Sequence, residues 1–195
     1  LKMANLKWIG YLSATSVYGD HNGNWVDENT AVSPTDQRGQ SRLEAENEWL
    51  SLDLPVHIFR LGGIYGPGRN QIDAVKNKTA QKIIKKNHLF SRIHVDDICG
   101  ALISSMNKPC PQSLYNIVDD QPTSSADVLD FICERLNLAK ITEISIGDAN
   151  LSLTAKSFYA DNKRVRNEQT KADLNWQLKF PDFKQGYQDI LDKLD

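Results

Sequence analysis

The sequence predicts an α/β protein built on a parallel sheet, and three observations carry that prediction. Residues 8–13 (Trp-Ile-Gly-Tyr-Leu-Ser) are a short apolar run closing on small polar residues, the pattern of a buried parallel strand. A helix-length segment follows at 36–52. Pro55 then introduces a second strand-like run, Val56-His-Ile-Phe-Arg60. Strand, helix and strand at this spacing make a βαβ unit, whose right-handed crossover requires parallel strands.

The remaining elements follow from caps and periodicity. Ser33 or Thr35 is expected to cap the 36–52 helix, whose Leu43, Trp49, Leu50 and Leu52 supply a partial apolar face. After Gly62-Gly63 the pattern loosens into a Gly/Pro loop at 66–68. Short strands are expected at 80–84 and 93–95, then a helix from Asp96-Asp97 to Met106 with Ile98, Ala101, Leu102 and Met106 on one face. The two aspartates read as capping and dipole-complementing residues at its start. Residues 115–118 read as a strand. Ser124 or Ser125 caps a helix carrying Val128, Leu129, Ile132 and Leu136. A helix at about 167–174 stops at Asn175, which tolerates the left-handed conformation, and a last helix follows Pro181.

Composition narrows the function classes. The chain has 195 residues, 40% hydrophobic and 25% charged, with net charge −2 and both signs scattered, so neither nucleic acid nor membrane is the expected partner. Lys82, Lys85 and Lys86 read as one solvated edge, and Asp20 and Glu28 as solvated loop residues. Cys99 and Cys133 fall inside amphipathic helix patterns and read as buried free thiols, which suits a reducing cytoplasm. No histidine has metal-ligand spacing, and His94 reads as a packed core residue.

Four segments in order carry a family resemblance: residues 12–28, opening Leu-Ser-Ala-Thr-Ser-Val-Tyr-Gly, Arg-Gly-Gln-Ser-Arg at 38–42, Phe-Arg-Leu-Gly-Gly-Ile-Tyr-Gly-Pro-Gly-Arg at 59–69 and Ser-Arg-Ile-His-Val-Asp-Asp-Ile at 91–98. Each is weak alone; together at this spacing they resemble the later part of the extended short-chain dehydrogenase/reductase superfamily, the NAD-dependent epimerase/dehydratase proteins. The resemblance implies an incomplete Rossmann-like parallel sheet plus a smaller mixed α/β substrate lobe. Residues 1–64 would belong to the nucleotide-binding domain and 65–195 mainly to the lobe, with 94–118 returning to the sheet. No glycine-rich phosphate-binding turn precedes Trp8, so a fragment of a longer parent is expected. NAD or NADP would then be the parent's cofactor, with weak or no binding by these residues alone.

The resemblance also locates a site. The superfamily places a Ser or Thr after the strand matching 8–13, and a Tyr and a Lys four residues apart on the next helix. The lysine lowers the phenol's pKa, and the phenol exchanges a proton with substrate. Aligned on Val17-Tyr18-Gly19, the hydroxyl position is Ala14, flanked by Ser13 and Thr15; the Tyr and Lys positions are Arg38 and Arg42. Arginine stays protonated, so Arg38 is no general acid or base, whereas Arg42 retains a charge and donors for a ribose. Thr15, Arg38 and Arg42 therefore stand at the catalytic positions. Ser13, Ala14, Arg42, Leu61, Gly62, Gly63 and Ile64 stand at the cofactor positions, and Tyr18, Arg69 and Arg92 at the substrate positions. For Gly62 and Gly63 two readings stay open: close backbone approach to a flat ring, or a tight turn. Arg92 has two as well, anion binding or pairing with Asp96 or Asp97. Tyr18 and Tyr65 are the phenols left to replace the lost proton donor.

This Arg-Gly-x-x-Arg start resembles an atypical subgroup lacking the Tyr–Lys pair. The resemblance implies an NAD(P)-dependent epimerase/dehydratase acting on a nucleotide sugar or similar polar metabolite. The alternatives are a non-catalytic dinucleotide-binding sensor or assembly protein, and a partial product without its own activity. Members of the superfamily often dimerise through the helix matching 36–52, so a homodimer is among the implied partners.

Overall fold

The computed structural model of the protein describes residues 5–151 and 153–194. Strand β1 (Ile9–Ala14) leads through a short 3-10 turn (Thr15–Tyr18) to β2 (Trp25–Val26) and helix α1 (Gln37–Leu50). Then come β3 (Val56–Leu61), β4 (Gly63–Tyr65), α2 (Ile72–Lys76), β5 (Lys82–Ile84), β6 (Arg92–His94), α3 (Val95–Asn107) and β7 (Ser113–Ile117). The chain closes with α4 (Ser125–Arg135), β8 (Glu143–Ser145), α5 (Leu153–Ala160), β9 (Arg164–Val165), α6 (Glu168–Leu174) and α7 (Phe183–Asp192).

The main sheet is parallel in the order β1-β3-β7, with Ser13 opposite Arg60 and Arg60 opposite Asn116. All six residues of β3 are buried, as a central strand covered on both faces requires. Along β3, Phe59 and Leu61 join Ile98 and Ala101 of α3 in one core, while Arg60 points to the opposite face and meets Glu46 of α1. A second core gathers α2, α4 and α7 around Tyr65, Phe131, Ile132 and Tyr187. Three two-stranded parallel pairs, β2-β9, β4-β6 and β5-β8, tie the later segments to the earlier ones.

Several expectations are corrected. Asp36, not Ser33 or Thr35, caps α1, its carboxylate accepting from the Gly39 amide at 2.7 Å. Neither Asp96 nor Asp97 caps α3; the His94 ring accepts from the Asp96 amide at 3.1 Å. The Asp97 carboxylate instead takes the amides of Lys179 and Phe180 at 2.6 and 3.2 Å. Met106 and Leu52 are exposed, and Ser105 takes the buried position on α3. Cys99 is exposed while Cys133 is buried. Lys82 is not on a solvated edge: it is buried and paired with Asp130 at 2.8 Å and Glu143 at 3.0 Å. Glu28 is bonded as well, accepting from the Thr170 hydroxyl at 2.6 Å.

Candidate functional site

The carboxyl ends of β1 and β3 open into a cleft of about 1220 Å³. Open α/β sheets place ligands at this edge, where strand ends leave backbone groups and helix starts unpaired. Ser13, Ala14 and Thr15 line it from β1 and its turn, Arg38 and Arg42 from α1, and Leu61, Gly62, Gly63 and Ile64 from the β3–β4 junction. Arg69 and Arg92 line it as well. Every site residue expected from the sequence is thus brought to one hollow except Tyr18.

Tyr18 is a correction. It is fully buried, its hydroxyl donates to Asn116 Oδ1 at 2.8 Å, and the Arg60 guanidinium lies 4.8 Å from its ring centre. Burial raises its pKa, and it neither touches the cleft nor serves as a proton donor there. Beneath the floor, Arg60 forms a buried fork on Glu46, with Nη2 to Oε2 at 2.7 Å and Nε to Oε1 at 3.1 Å. Ser13 donates its hydroxyl to the same Glu46 carboxylate at 2.5 Å. Its backbone borders the cleft while its hydroxyl is already committed.

The two central glycines do different things. A Cβ on Gly62 would come within 2.8 Å of the Ser91 carbonyl oxygen, so Gly62 is required by packing between strands. A Cβ on Gly63 would meet nothing nearer than 3.6 Å, so this residue leaves open room on the cleft wall. The open room at Gly63 lies on a cleft that Ala14, Leu61 and Ile64 also line, and these small and apolar residues fit the nicotinamide end of a dinucleotide.

Among the described residues, positive charge outweighs negative in the cleft, where the four arginines stand with two aspartates, Asp36 and Asp161. Arg38 lies 5.4 Å from the Phe158 ring centre, Arg42 donates to the Leu12 carbonyl at 3.1 Å and to the Tyr11 hydroxyl at 3.3 Å, and Arg69 donates to the Ile64 carbonyl at 3.2 Å. Arg92 donates to the carbonyls of Phe90 and Thr123 and is not paired with Asp96 or Asp97. Among the described residues none of these four guanidinium groups has a carboxylate within ion-pair distance. Asp119 packs under Arg92, its amide bonded to the Arg92 carbonyl at 2.6 Å; burial pushes its carboxyl up to about 8. Among the described residues no group of histidine, cysteine and carboxylate side chains is arranged to hold a metal ion.

Comparison with known proteins follows this geometry. No protein-family model matches the chain. Protein YeeZ of Escherichia coli strain K12 is 37% identical over 112 residues, which are 56% of this chain and 39% of YeeZ. A conserved protein of unknown function from Silicibacter pomeroyi is 43% identical with a TM-score of 0.93, covering 95% of this chain and 66% of its own length. A protein provisionally assigned as an NAD-dependent epimerase/dehydratase, from Methylobacillus flagellatus, is 28% identical with a TM-score of 0.71, covering 95% of this chain and 64% of its own. The chain has the fold of the extended short-chain dehydrogenase/reductase superfamily. It spans less than two-thirds of the length of each of these three proteins.

Against the superfamily's relay, this chain carries Arg38 and Arg42 one helical turn apart on α1. Tyr65 borders the cleft, yet its hydroxyl is buried and lies against Gly186. The side chain is stacked on Tyr187 with ring centres 5.2 Å apart, and burial raises its pKa far above the ordinary value. Sequence reasoning overlooked Lys163, which borders the same cleft beside Asp161. No motif marks it; the pairing of β9 with β2, distant in sequence, brings it there.

Proposed function

We propose that this chain forms the substrate-facing part of an NAD(P)-dependent epimerase/dehydratase-like protein acting on a nucleotide sugar or similar polar, anionic metabolite. The observation that carries the reading is the cleft itself: four arginines that have no carboxylate ion-pair partner among the described residues line one hollow at the sheet's carboxyl edge. Guanidinium forks match phosphate oxygens, and a site whose charges lack internal partners gains most from an anionic ligand. Arg69 and Arg92 suit the diphosphate, with Arg92 held in place by two backbone carbonyls. Arg42 suits a ribose hydroxyl, and the open wall at Gly63 suits the nicotinamide ring. When bound, NAD or NADP supplies a hydride acceptor. The likeness to the Methylobacillus protein supports the dinucleotide, and binding by these residues alone is expected to be weak. A cytoplasmic location and a homodimer are parts of the same proposal.

A second reading, a dinucleotide-binding sensor or assembly protein without turnover, is favoured by Arg38 at the tyrosine position, since a guanidinium does not exchange protons at physiological pH. Isothermal titration of NAD(H), NADP(H) and UDP-glucose separates the two. Heat from dinucleotide and sugar nucleotide together, with turnover across a nucleotide-sugar panel, supports the enzyme; dinucleotide binding without turnover supports the sensor. If neither ligand class binds this chain or a longer form containing it, both readings fall.

A further inference from the structure

The segment 161–163 borders the cleft and is clamped on several sides. The Asn162 amide donates to Asp20 at 2.8 Å, and its side-chain amide donates to the Asn87 carbonyl at 3.0 Å. Its carbonyl receives the amides of His21 and Gly23 at 3.1 and 2.8 Å. The Asp161 carbonyl meets the His88 ring at 2.8 Å, and the Asp161 carboxylate accepts the Thr35 hydroxyl at 2.5 Å. Three separate loops therefore fix this tripeptide, and Thr35 ties it to the start of α1, where Arg38 stands. The Lys163 ammonium is held by the other Asp161 oxygen at 3.2 Å, and the two side chains are only 12% and 15% exposed. Lys163 opens onto the cleft.

We propose that Lys163, oriented by Asp161, is the proton-exchanging group of this cleft, acting on a hydroxyl of the bound metabolite in place of the phenol that Arg38 displaced. The inference deepens the reading of the cleft given above and rests on it. In its amine form Nζ takes the hydroxyl proton: the substrate O–H bond breaks, an N–H bond forms, and the electron pair stays on oxygen. The reverse transfer returns the proton. Both directions balance without another reactant. The arginines, Asp36 and Tyr65 are less suited. The guanidinium groups do not release protons, Asp36 caps α1, and Tyr65 is buried under Tyr187.

The surroundings also favour release. Burial lowers the Lys163 pKa, opposed by the carboxylates of Asp161, Asp20 and Asp36, and its charge is felt at His88 beside Lys85. A lysine drawn below its ordinary value can carry protons nearer neutral pH.

Competitive labelling of the chain with acetic anhydride across a pH series, read by mass spectrometry, tests this. Lys163 is expected to react with a midpoint below that of the chain's exposed lysines. Asp161→Asn removes the main stabiliser of the ammonium and should lower the midpoint further, and this variant preserves the side chain's size. NAD together with UDP-glucose should slow labelling of Lys163 several-fold while sparing exposed lysines. A Lys163 midpoint equal to theirs, or no protection when calorimetry shows both ligands bound, overturns the proposal. If calorimetry shows no binding at all while Lys163 still titrates low, the cleft's assigned ligands fall and the lysine's proton-exchanging character stands.

Discussion

At the scale of single residues, the buried fork of Arg60 on Glu46 organises the floor of the cleft. Removing one partner from a buried pair leaves an uncompensated charge, which costs more than the pair itself contributes. Glu46→Ala should therefore destabilise the fold by roughly 3–5 kcal/mol, and release the Ser13 hydroxyl as well. Urea unfolding measures this; a loss under about 1 kcal/mol would show that water reaches Arg60. The two glycines give a paired prediction. Gly62→Ala forces a methyl against the Ser91 carbonyl and should cost about 1–3 kcal/mol. Gly63→Ala should change stability by less than about 0.5 kcal/mol while weakening dinucleotide binding in calorimetry. The sequence distinguished neither glycine, because the difference lies in what faces each from β6's approach. Tyr18 was misread for a related reason: a Val-Tyr-Gly turn marks a place on the chain but not which way the ring points. Asn116 and Arg60 decide that, from distant strands.

At the scale of elements, legibility followed length and locality. β1, α1, β3, α3, β7 and α4 were readable because each carries its own periodicity or its own cap. β2, β8 and β9 hold two or three residues each, and their order comes from pairing: Trp25 opposite Arg164, Ile83 opposite Ile144. No local pattern records such partners. The same limit hid Lys163, which β9's pairing with β2 brings to the cleft. Helix α1 shows how an element positions chemistry. Its start approaches the preceding turn so closely that a Cβ on Gly39 would lie 2.9 Å from the Ser16 carbonyl oxygen, which explains the glycine directly after Arg38. Asp36 then satisfies the Gly39 amide. Asp36→Ala should cost about 1 kcal/mol of stability, whereas Asp36→Ser should recover most of it. Thermal melting compares the two; equal losses would mean that the cap's hydroxyl or carboxylate oxygen is not what stabilises the helix.

At the scale of the whole molecule, buried titratable groups set a pH profile with a maximum. Burial lowers the pKa of His57, His88 and His94, so below about 6.5 the unfolded chain binds more protons and stability rises with pH. Burial acts oppositely on two carboxyls, raising Asp97 to about 6 and Asp119 to about 8. For these the folded state binds more protons between about pH 4 and each raised value, so their contribution is complete at low pH and is lost as pH rises. Asp97 has lost its share near pH 6, where the histidines still act against it. Above that Asp119 continues, opposed toward alkaline pH by the lowered pKa of Lys163; among the described residues its Oδ2 has no hydrogen-bond partner, while its Oδ1 accepts the Gln121 amide at 3.3 Å. Stability should therefore peak near about pH 6.5 and decline toward about pH 8.5 by an amount on the order of a few kcal/mol. Asp119→Asn keeps the shape and the amide contact but cannot ionise, so its urea midpoint should stay level across that interval. A variant that declines as steeply as the parent chain would place the alkaline loss elsewhere and remove Asp119 from the account.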